Sequence, residues 1–297
     1  MKEYKTVSVI IPTFNRCRDV VMCVESVLSS EYPDFEIIVV DNSSMDNTIS
    51  VLRDKYENRI NLISSNSNLG ASGGRNLGAK YAKGDYLLFV DSDNVVDKKM
   101  IYYLVDFLER TPICGMVGPL MLVKKDPTII WLYFANINMY TSQATYKGTG
   151  ERIDKEFSEV VEVGHLPNCF MVRKDDFYLL NGFDEKYFIM YEEADLAERI
   201  KKFFKKKIFI DSKAIIYHNI PWPNGSSMSF RSEERSYLTS RNRVYFMKKN
   251  ATRIQFVVFL VIFLPLLSIY YEYHLLKLRK YKMAYSYFLG IIYGLLL

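Results

Sequence analysis

The sequence predicts an α/β fold, a mainly parallel sheet flanked by helices, followed by C-terminal apolar membrane-associating helices. Three observations carry this expectation. Short apolar runs alternate with helical patterns from Val7 to Val123. Acid and amide side chains gather where several of those runs end. Ile254 to Tyr271 is an apolar stretch long enough to cross a bilayer, interrupted only by Gln255, Pro265 and Ser268.

Val7 to Pro12 reads as a buried strand ended by Pro12-Thr13-Phe14-Asn15, with a helical pattern following to about Ser29. Phe35 to Val40 is a second buried strand, closing on Asp41-Asn42. Asp46 or Asn47 can cap a helix running to Tyr56. Ile60 to Ile63 predicts a short third strand. The glycine-rich turn Gly70 to Gly74 opens a helix through Ala82. Tyr86 to Val90 is the central strand, and it breaks into Asp91-Ser92-Asp93-Asn94. A helix over Met100 to Arg110 and a strand over Gly115 to Val123 follow. Between Thr128 and Gly164 the pattern is irregular and predicts little. Phe170 to Arg173 reads as a strand, Glu192 to about Phe204 as a helix, and Ile208 to Asp211 and Ala214 to His218 as two short apolar runs. Asn219 to Arg231, rich in Pro, Gly and Ser, is long enough to be a lid. Ser232 to about Lys249 is helical and leads into the apolar tail.

In a parallel sheet covered on both faces, ligands sit beyond the carboxyl ends of the strands. Thr13, Phe14 and Asn15 fall at the end of the first strand, Asp41 and Asn42 at the end of the second, and Asp91 and Asp93 at the end of the fourth. Ordinary turn residues would be spread over both edges of the sheet, whereas these collect at one. Asp91 and Asp93, spaced i, i+2 at the open end of a buried strand, suit a hard divalent cation that keeps positions for water and substrate phosphates. A G-x-G-x-x-G fingerprint is absent, and the Gly70 to Gly74 turn follows the third strand, not the first, which argues against a dinucleotide cofactor.

The chain has 297 residues, 49% of them hydrophobic, enough for one large domain and an appendage. A net charge of +5, concentrated late in the chain beside apolar segments, fits an anionic membrane surface better than nucleic acid. Four scattered cysteines without a C-x-x-C pair predict a reducing compartment and no zinc cage. Residues 1–6 are polar and lead directly into a strand, which predicts a first domain kept in the cytoplasm.

Taken in order, VSVIIPTFNR, VVDNSSMDNT, NLGASGGRNLGAKYAKGDYLLFVDSDN, NGFDEKYFIMYEEADLAERI, AIIYH and SRNRVYFMKKN resemble an inverting glycosyltransferase of family 2, with the GT-A nucleotide-diphospho-sugar transferase fold, in a membrane-associated, rhamnosyltransferase-like branch. The resemblance covers residues 5–250, implying a catalytic domain over 1–250 and a membrane-associated helical tail over 251–297. It implies that Phe14 stacks on the nucleotide base and that Asp41 accepts a base N–H, UDP or dTDP being the natural donors. Thr13 and Asn15 belong to the same nucleotide site. Arg75 would approach the base or the diphosphate, where a planar fork of donors suits an anion. Asp91 would serve the ribose and the metal's waters, Asp93 would bind Mn²⁺ or Mg²⁺, and His218 would complete the metal site. Arg241 and Asn242 would brace the lid or the diphosphate.

Inverting transfer needs one carboxylate to deprotonate the acceptor hydroxyl. The family commonly carries a Glu-Asp pair ahead of a helix for this purpose. Here the pair is Glu192-Glu193, so Glu193 stands one methylene longer at the Asp position, with Asp195 and Glu192 as alternatives. The reading is thus a metal-dependent transferase moving a sugar from a nucleotide-diphosphate sugar to a lipid-linked or glycan acceptor. Its rivals are a polyprenyl-phosphate sugar synthase and a nucleotide-sugar-binding scaffold without turnover. The basic stretch His274 to Lys282 lies between the two apolar tail segments. Two full crossings would place it outside, against the positive-inside rule, so a monotopic or hairpin anchor on the cytoplasmic face of the cell membrane is expected.

Overall fold

The computed structural model describes residues 4–153, 159–219 and 232–297. The expected lid falls mainly on residues 220–231, outside the described residues. Parallel strands β1 (Val7–Thr13), β2 (Phe35–Asp41), β3 (Asn61–Ser64) and β4 (Tyr86–Val90) form one half of a ten-stranded sheet, in the order β3-β2-β1-β4. The short β5 (Asn94–Val96) leaves β4 through the Asp91-Ser92-Asp93 turn. Next come β6 (Cys114–Val123), β7 (Asp126–Leu132), the small hairpin β8 (Phe134–Ile137) with β9 (Ala144–Lys147), then β10 (Val160–Val163), β11 (Cys169–Arg173) and β12 (Lys207–His218). From β4 the sheet continues through β11, β6, β12 and β10. β11 runs antiparallel to both of its neighbours, so the sheet is mixed.

Alternation along β1 shows how the layers are built. Val9 and Ile11 join the core under α1 (Cys17–Leu28), α2 (Thr48–Tyr56) and α4 (Met100–Arg110). Ile10 points to the opposite face, under α3 (Gly70–Tyr81), α5 (Lys174–Leu179) and α6 (Glu192–Phe204). Both faces are therefore covered, which is why β1, β2 and β4 read as continuous apolar runs. On the second face Phe89 centres an aromatic cluster, its ring 5.3 Å from Phe170, 5.3 Å from Phe177 and 5.2 Å from Phe183.

Two sequence expectations change. The two apolar runs over 208–218 are one strand, β12, because a register shift between Asp211 and Ile215 lets it pass its polar middle while still pairing with β6. The region from Thr128 to Gly164 is β-rich, but its strands are short and partly exposed, which leaves little apolar periodicity to read.

α7 (Glu233–Asn250) packs on α6 and on the tail in a third core that includes Val244, Phe246 and Met247 with Phe259 and Leu264. The tail begins with a capping box at Thr252 and Gln255. Its first helix, Arg253–Lys277, has 25 residues and is long and apolar enough to cross a membrane. The terminal helix, Tyr281–Leu296, lies against α7: a Cβ on Gly290 would overlap Ser240 Oγ, and one on Gly294 would meet the Arg241 carbonyl. The glycines let the two backbones approach, and Ser240 Oγ donates to the Tyr287 carbonyl across that contact at 2.7 Å.

Candidate active site

The polar strand ends open into a cavity of about 400 Å³ lined by Thr13, Phe14, Arg75, Asp91, Asp93, Glu192, Glu193 and His218. At the end beside β1 and β2, Asp41 is fully buried; Oδ2 accepts from Ser44 N at 3.0 Å, while Oδ1 and the hydroxyl of Thr13 have no hydrogen-bond partner among the described residues. Buried polar atoms left this way are costly unless a ligand satisfies them. Phe14 is 38% exposed and offers a ring face beside them. Asn15 is committed elsewhere: its N–H donates to Ser44 Oγ and its Oδ1 accepts from Met45 N, tying the β1 and β2 loops together.

Arg75, near the middle of α3, does not reach out to the cavity's solvent side. It is 1% exposed, and its guanidinium donates to Asp91 at 2.6 Å, Glu193 at 2.8 Å and Glu192 at 3.0 Å. One buried cation thus holds three carboxylates from two distant parts of the chain. For the two glutamates that pull lowers the carboxyl pKa, but desolvation outweighs it. Glu192 is raised, and Glu193 is pushed up to about 8.

Glu193 Oε1 also accepts from the backbone N–H of Asn168 at 3.0 Å, whereas it is Oε2 of the neighbouring Glu192 that is buried without a partner among the described residues. Glu193 lines a second cavity as well, of about 620 Å³, reached past Trp131, Asn168 and Met190, which border both. Asp195, the alternative base, is turned away from both. It is fully buried and accepts from Arg199 at 2.7 Å, Lys249 at 3.0 Å and Asn250 at 2.9 Å. Arg241 is not among the residues lining the smaller cavity; its Nη2 donates to the carbonyls of Lys186 and Tyr187 at 2.6 and 3.1 Å.

The loop ahead of α6 aims Glu192 and Glu193 and is strained. Phe188, Met190 and Tyr191 all take positive φ, 64°, 72° and 72°. Asn242 holds it, with Nδ2 2.9 Å from the Tyr187 carbonyl, 2.8 Å from Ile189 and 2.9 Å from Met190. Gly70, at φ +70°, sits against the same loop, where a Cβ would strike the Phe188 carbonyl.

Beside β5, β12 pairs antiparallel with it, setting His218 opposite Asn94 and its Nε2 3.8 Å from Asp93 Oδ1. Trp131 stacks on the imidazole, ring centroids 4.2 Å apart. Asp93 Oδ1 is buried without a hydrogen bond among the described residues, and Oδ2 accepts from Arg16 at 2.8 Å. No cluster of three His, Cys, Asp or Glu side chains forms there among the described residues. One carboxylate oxygen and one imidazole nitrogen fit a divalent ion that takes its other ligands from water and a diphosphate. Arg16, Trp131, Asn168 and Arg235 also line or brace the site and were not singled out from sequence. Arg16 stands inside the first motif and was the one within reach.

The mixed sheet with an acidic cavity at its strand ends has the architecture of the GT-A nucleotide-diphospho-sugar transferase fold. Residues 8–177 match Glycosyl transferase family 2. The chain is 37% identical over 217 residues to Glycosyltransferase GlyG of Streptococcus pneumoniae, covering 71% of this chain and 70% of that one. It therefore belongs to glycosyltransferase family 2 and is an enzyme that uses a nucleotide-sugar donor. A shorter match, 40% over 104 residues, links it to the UDP-Glc:alpha-D-GlcNAc-diphosphoundecaprenol beta-1,3-glucosyltransferase WfaP of Escherichia coli, covering 35% of this chain and 41% of that protein. Among solved structures, Staphylococcus aureus TarS 1-349 in complex with UDP-GlcNAc superposes with a TM-score of 0.54 at 21% identity, over 86% of this chain and 71% of that one. The Pyrobaculum calidifontis mannosyltransferase PcManGT, in complex with GDP-Man and Mn²⁺, gives 0.58 at 14% identity, over 99% and 74%. At these identities the two structures attest the fold.

Proposed function

We propose that this chain is a metal-dependent inverting transferase that moves a hexose or deoxyhexose from a UDP-sugar to a lipid-linked acceptor at the cytoplasmic face of the membrane. The observation that carries this reading is the position of Glu193, whose carboxylate borders both the donor cavity and the larger cavity beside it. A donor in the first and an acceptor hydroxyl in the second would meet at that side chain. Glu193 would take the hydroxyl proton as the acceptor oxygen attacks the anomeric carbon and the bond to the diphosphate breaks on the opposite face. Asp91, steadied by Arg75 behind it, would hold the ribose side, and Thr13, Phe14 and Asp41 the base. Asp93 and His218 would hold a Mn²⁺ or Mg²⁺ ion, which when bound neutralises the departing diphosphate. Mn²⁺ in the mannosyltransferase structure supports that ion. UDP in preference to dTDP is supported by the relatives' names, and so is a lipid diphosphate acceptor.

We assign residues 1–250 to catalysis and 251–297 to the membrane. At 1.5 Å per residue, the helix Arg253–Lys277 is about 37 Å long, and the outer faces of both tail helices are apolar, as at Val261, Ile269, Tyr285 and Phe288. Because the terminal helix is docked on α7, a hairpin or interfacial anchor suits the tail better than two independent crossings. The test is a panel of UDP- and dTDP-sugars with Mn²⁺, assayed for nucleotide release and for transfer to a polyprenyl-diphosphate sugar. Transfer from a UDP-sugar is the expected result. Binding without hydrolysis or transfer for every donor would leave only a scaffold, and transfer to polyprenyl phosphate alone would make the enzyme a lipid-phosphate sugar synthase.

A further inference from the structure

The larger cavity contains a charge that the transfer step does not use. Arg243, on α7, lines it and is 6% exposed. Its Nη1 donates to the hydroxyl of Tyr287 at 3.0 Å, and the ring of Tyr271 lies 5.1 Å from the guanidinium carbon. Its Nε is buried without a hydrogen-bond partner, and no carboxylate pairs with it among the described residues. Arg75 shows the usual way of burying a guanidinium, with three carboxylates around it. Arg243 has tyrosines and an open cavity instead. A buried cation with no counter-ion is strongly unfavourable, and a guanidinium does not escape by losing its proton.

Nothing else in the cavity balances that charge. Burial pushes His165 down to about 4, so its imidazole is neutral. Glu193, the one carboxylate among the lining residues, is already held by Arg75. The counter-charge must then come with the ligand. Of the tyrosines around the guanidinium, Tyr191 comes from the loop ahead of α6, while Tyr271 belongs to the first tail helix and Tyr287 to the terminal one. The elements that would meet the bilayer therefore also wall the anion site. A free phosphorylated glycan would need no such continuity, whereas a lipid phosphate would have its chain follow the tail while its head group enters the cavity.

We propose that Arg243 is the anion anchor of the acceptor site and that the acceptor is a phosphate- or diphosphate-bearing lipid whose head group docks on this guanidinium. The proposal rests on the transferase reading of the same cavity and names its acceptor class. The probe is farnesyl phosphate, titrated calorimetrically into the full chain in detergent with EDTA present, so that metal does not contribute. Arg243→Gln should raise its Kd tenfold or more, Arg243→Lys should lose less, and farnesol and inorganic phosphate should each bind at least tenfold more weakly than farnesyl phosphate. An unchanged Kd in Arg243→Gln with its melting transition intact overturns the proposal. Inorganic phosphate binding as tightly as the lipid phosphate overturns the lipid source. Should Arg243→Gln not fold, a benzophenone-bearing farnesyl phosphate photo-crosslinked to the wild-type chain decides: label on α7 and the tail helices is expected, and label confined to the β1 and β4 loops overturns it. No turnover is needed, so a chain that binds through Arg243 without transferring sugar defeats only the transferase reading. A working transferase whose lipid binding ignores Arg243 defeats only this one.

Discussion

At Glu193, burial and the Arg75 guanidinium act in opposite directions, and burial prevails. A carboxyl pushed up to about 8 is a poor spectator and a well-matched base near neutral pH. Two consequences share one sign. With saturating donor, turnover should rise with pH as Glu193 ionises and level off above about 8. Because its folded pKa lies above the ordinary 4.5, the native state holds a proton that the unfolded chain releases, so stability should fall as pH rises between 4.5 and about 8. Glu193→Gln should cost a hundredfold or more in kcat at unchanged donor affinity and flatten both profiles; a kcat within threefold of wild type would remove it as base. Asp93→Ala and His218→Ala should weaken Mn²⁺ activation of transfer while sparing metal-free nucleotide binding, measured by activity against metal concentration. The acid at the end of β4 and the Glu192-Glu193 pair could be read from sequence because each sits in a local pattern, a strand end or a first helical turn. That Asp195 faces away could not, since Arg199, Lys249 and Asn250 reach it through packing of α6 on α7. Arg75 was legible as important and illegible as to role: only the fold brings Glu192 and Glu193 to the carboxylate of Asp91 around it.

Among the elements, the parallel half was the most legible, because β1, β2 and β4 are buried on both faces and each is followed at once by a helical period. The other half depends on pairings between segments far apart in the chain. β11 inserts antiparallel beside β4, and β12 reaches β5 so that His218 comes to Asp93; neither register leaves a local trace. The strained loop from Phe188 to Tyr191 is another element of this kind, held in place by Asn242 from α7. Asn242 is a positioning residue, since it touches carbonyls and lies outside the donor cavity. Asn242→Ala strips that amide from three backbone carbonyls, one buried and two partly buried, and should destabilise the chain by about 1–3 kcal/mol. If its task is to aim Glu193, kcat should fall at least tenfold with KM for the donor nearly unchanged, and the pH–rate midpoint should move. A loss of melting temperature without any change in kcat or midpoint would limit Asn242 to structure.

The whole molecule joins a nucleotide-sugar fold to an apolar tail, and the terminal helix is the seam between them. Removing everything after Thr252 would expose the α7 face that Gly290 and Gly294 cover, so loss of membrane binding in such a truncation would be confounded by damage to α7. Charging the outer face avoids this. Val261 and Ile269 are 70% and 68% exposed and belong to no buried cluster, so lysines there leave the docking of the tail intact. In the bilayer each lysine is expected to cost about 2.5–3.5 kcal/mol at the centre of a crossing helix and less near an interface. Val261→Lys with Ile269→Lys should therefore shift the full chain from the membrane to the soluble fraction on flotation. Its melting temperature should be unchanged, and so should donor hydrolysis, while transfer to a lipid-embedded acceptor falls. Opposed arrangements are separated by labelling Lys280 in sealed, right-side-out vesicles. An anchor folded back on the cytoplasmic leaflet protects it, and two crossings expose it. Continued membrane residence of the double variant at full transfer rate would mean that the apolar tail is held by another protein chain and not by lipid.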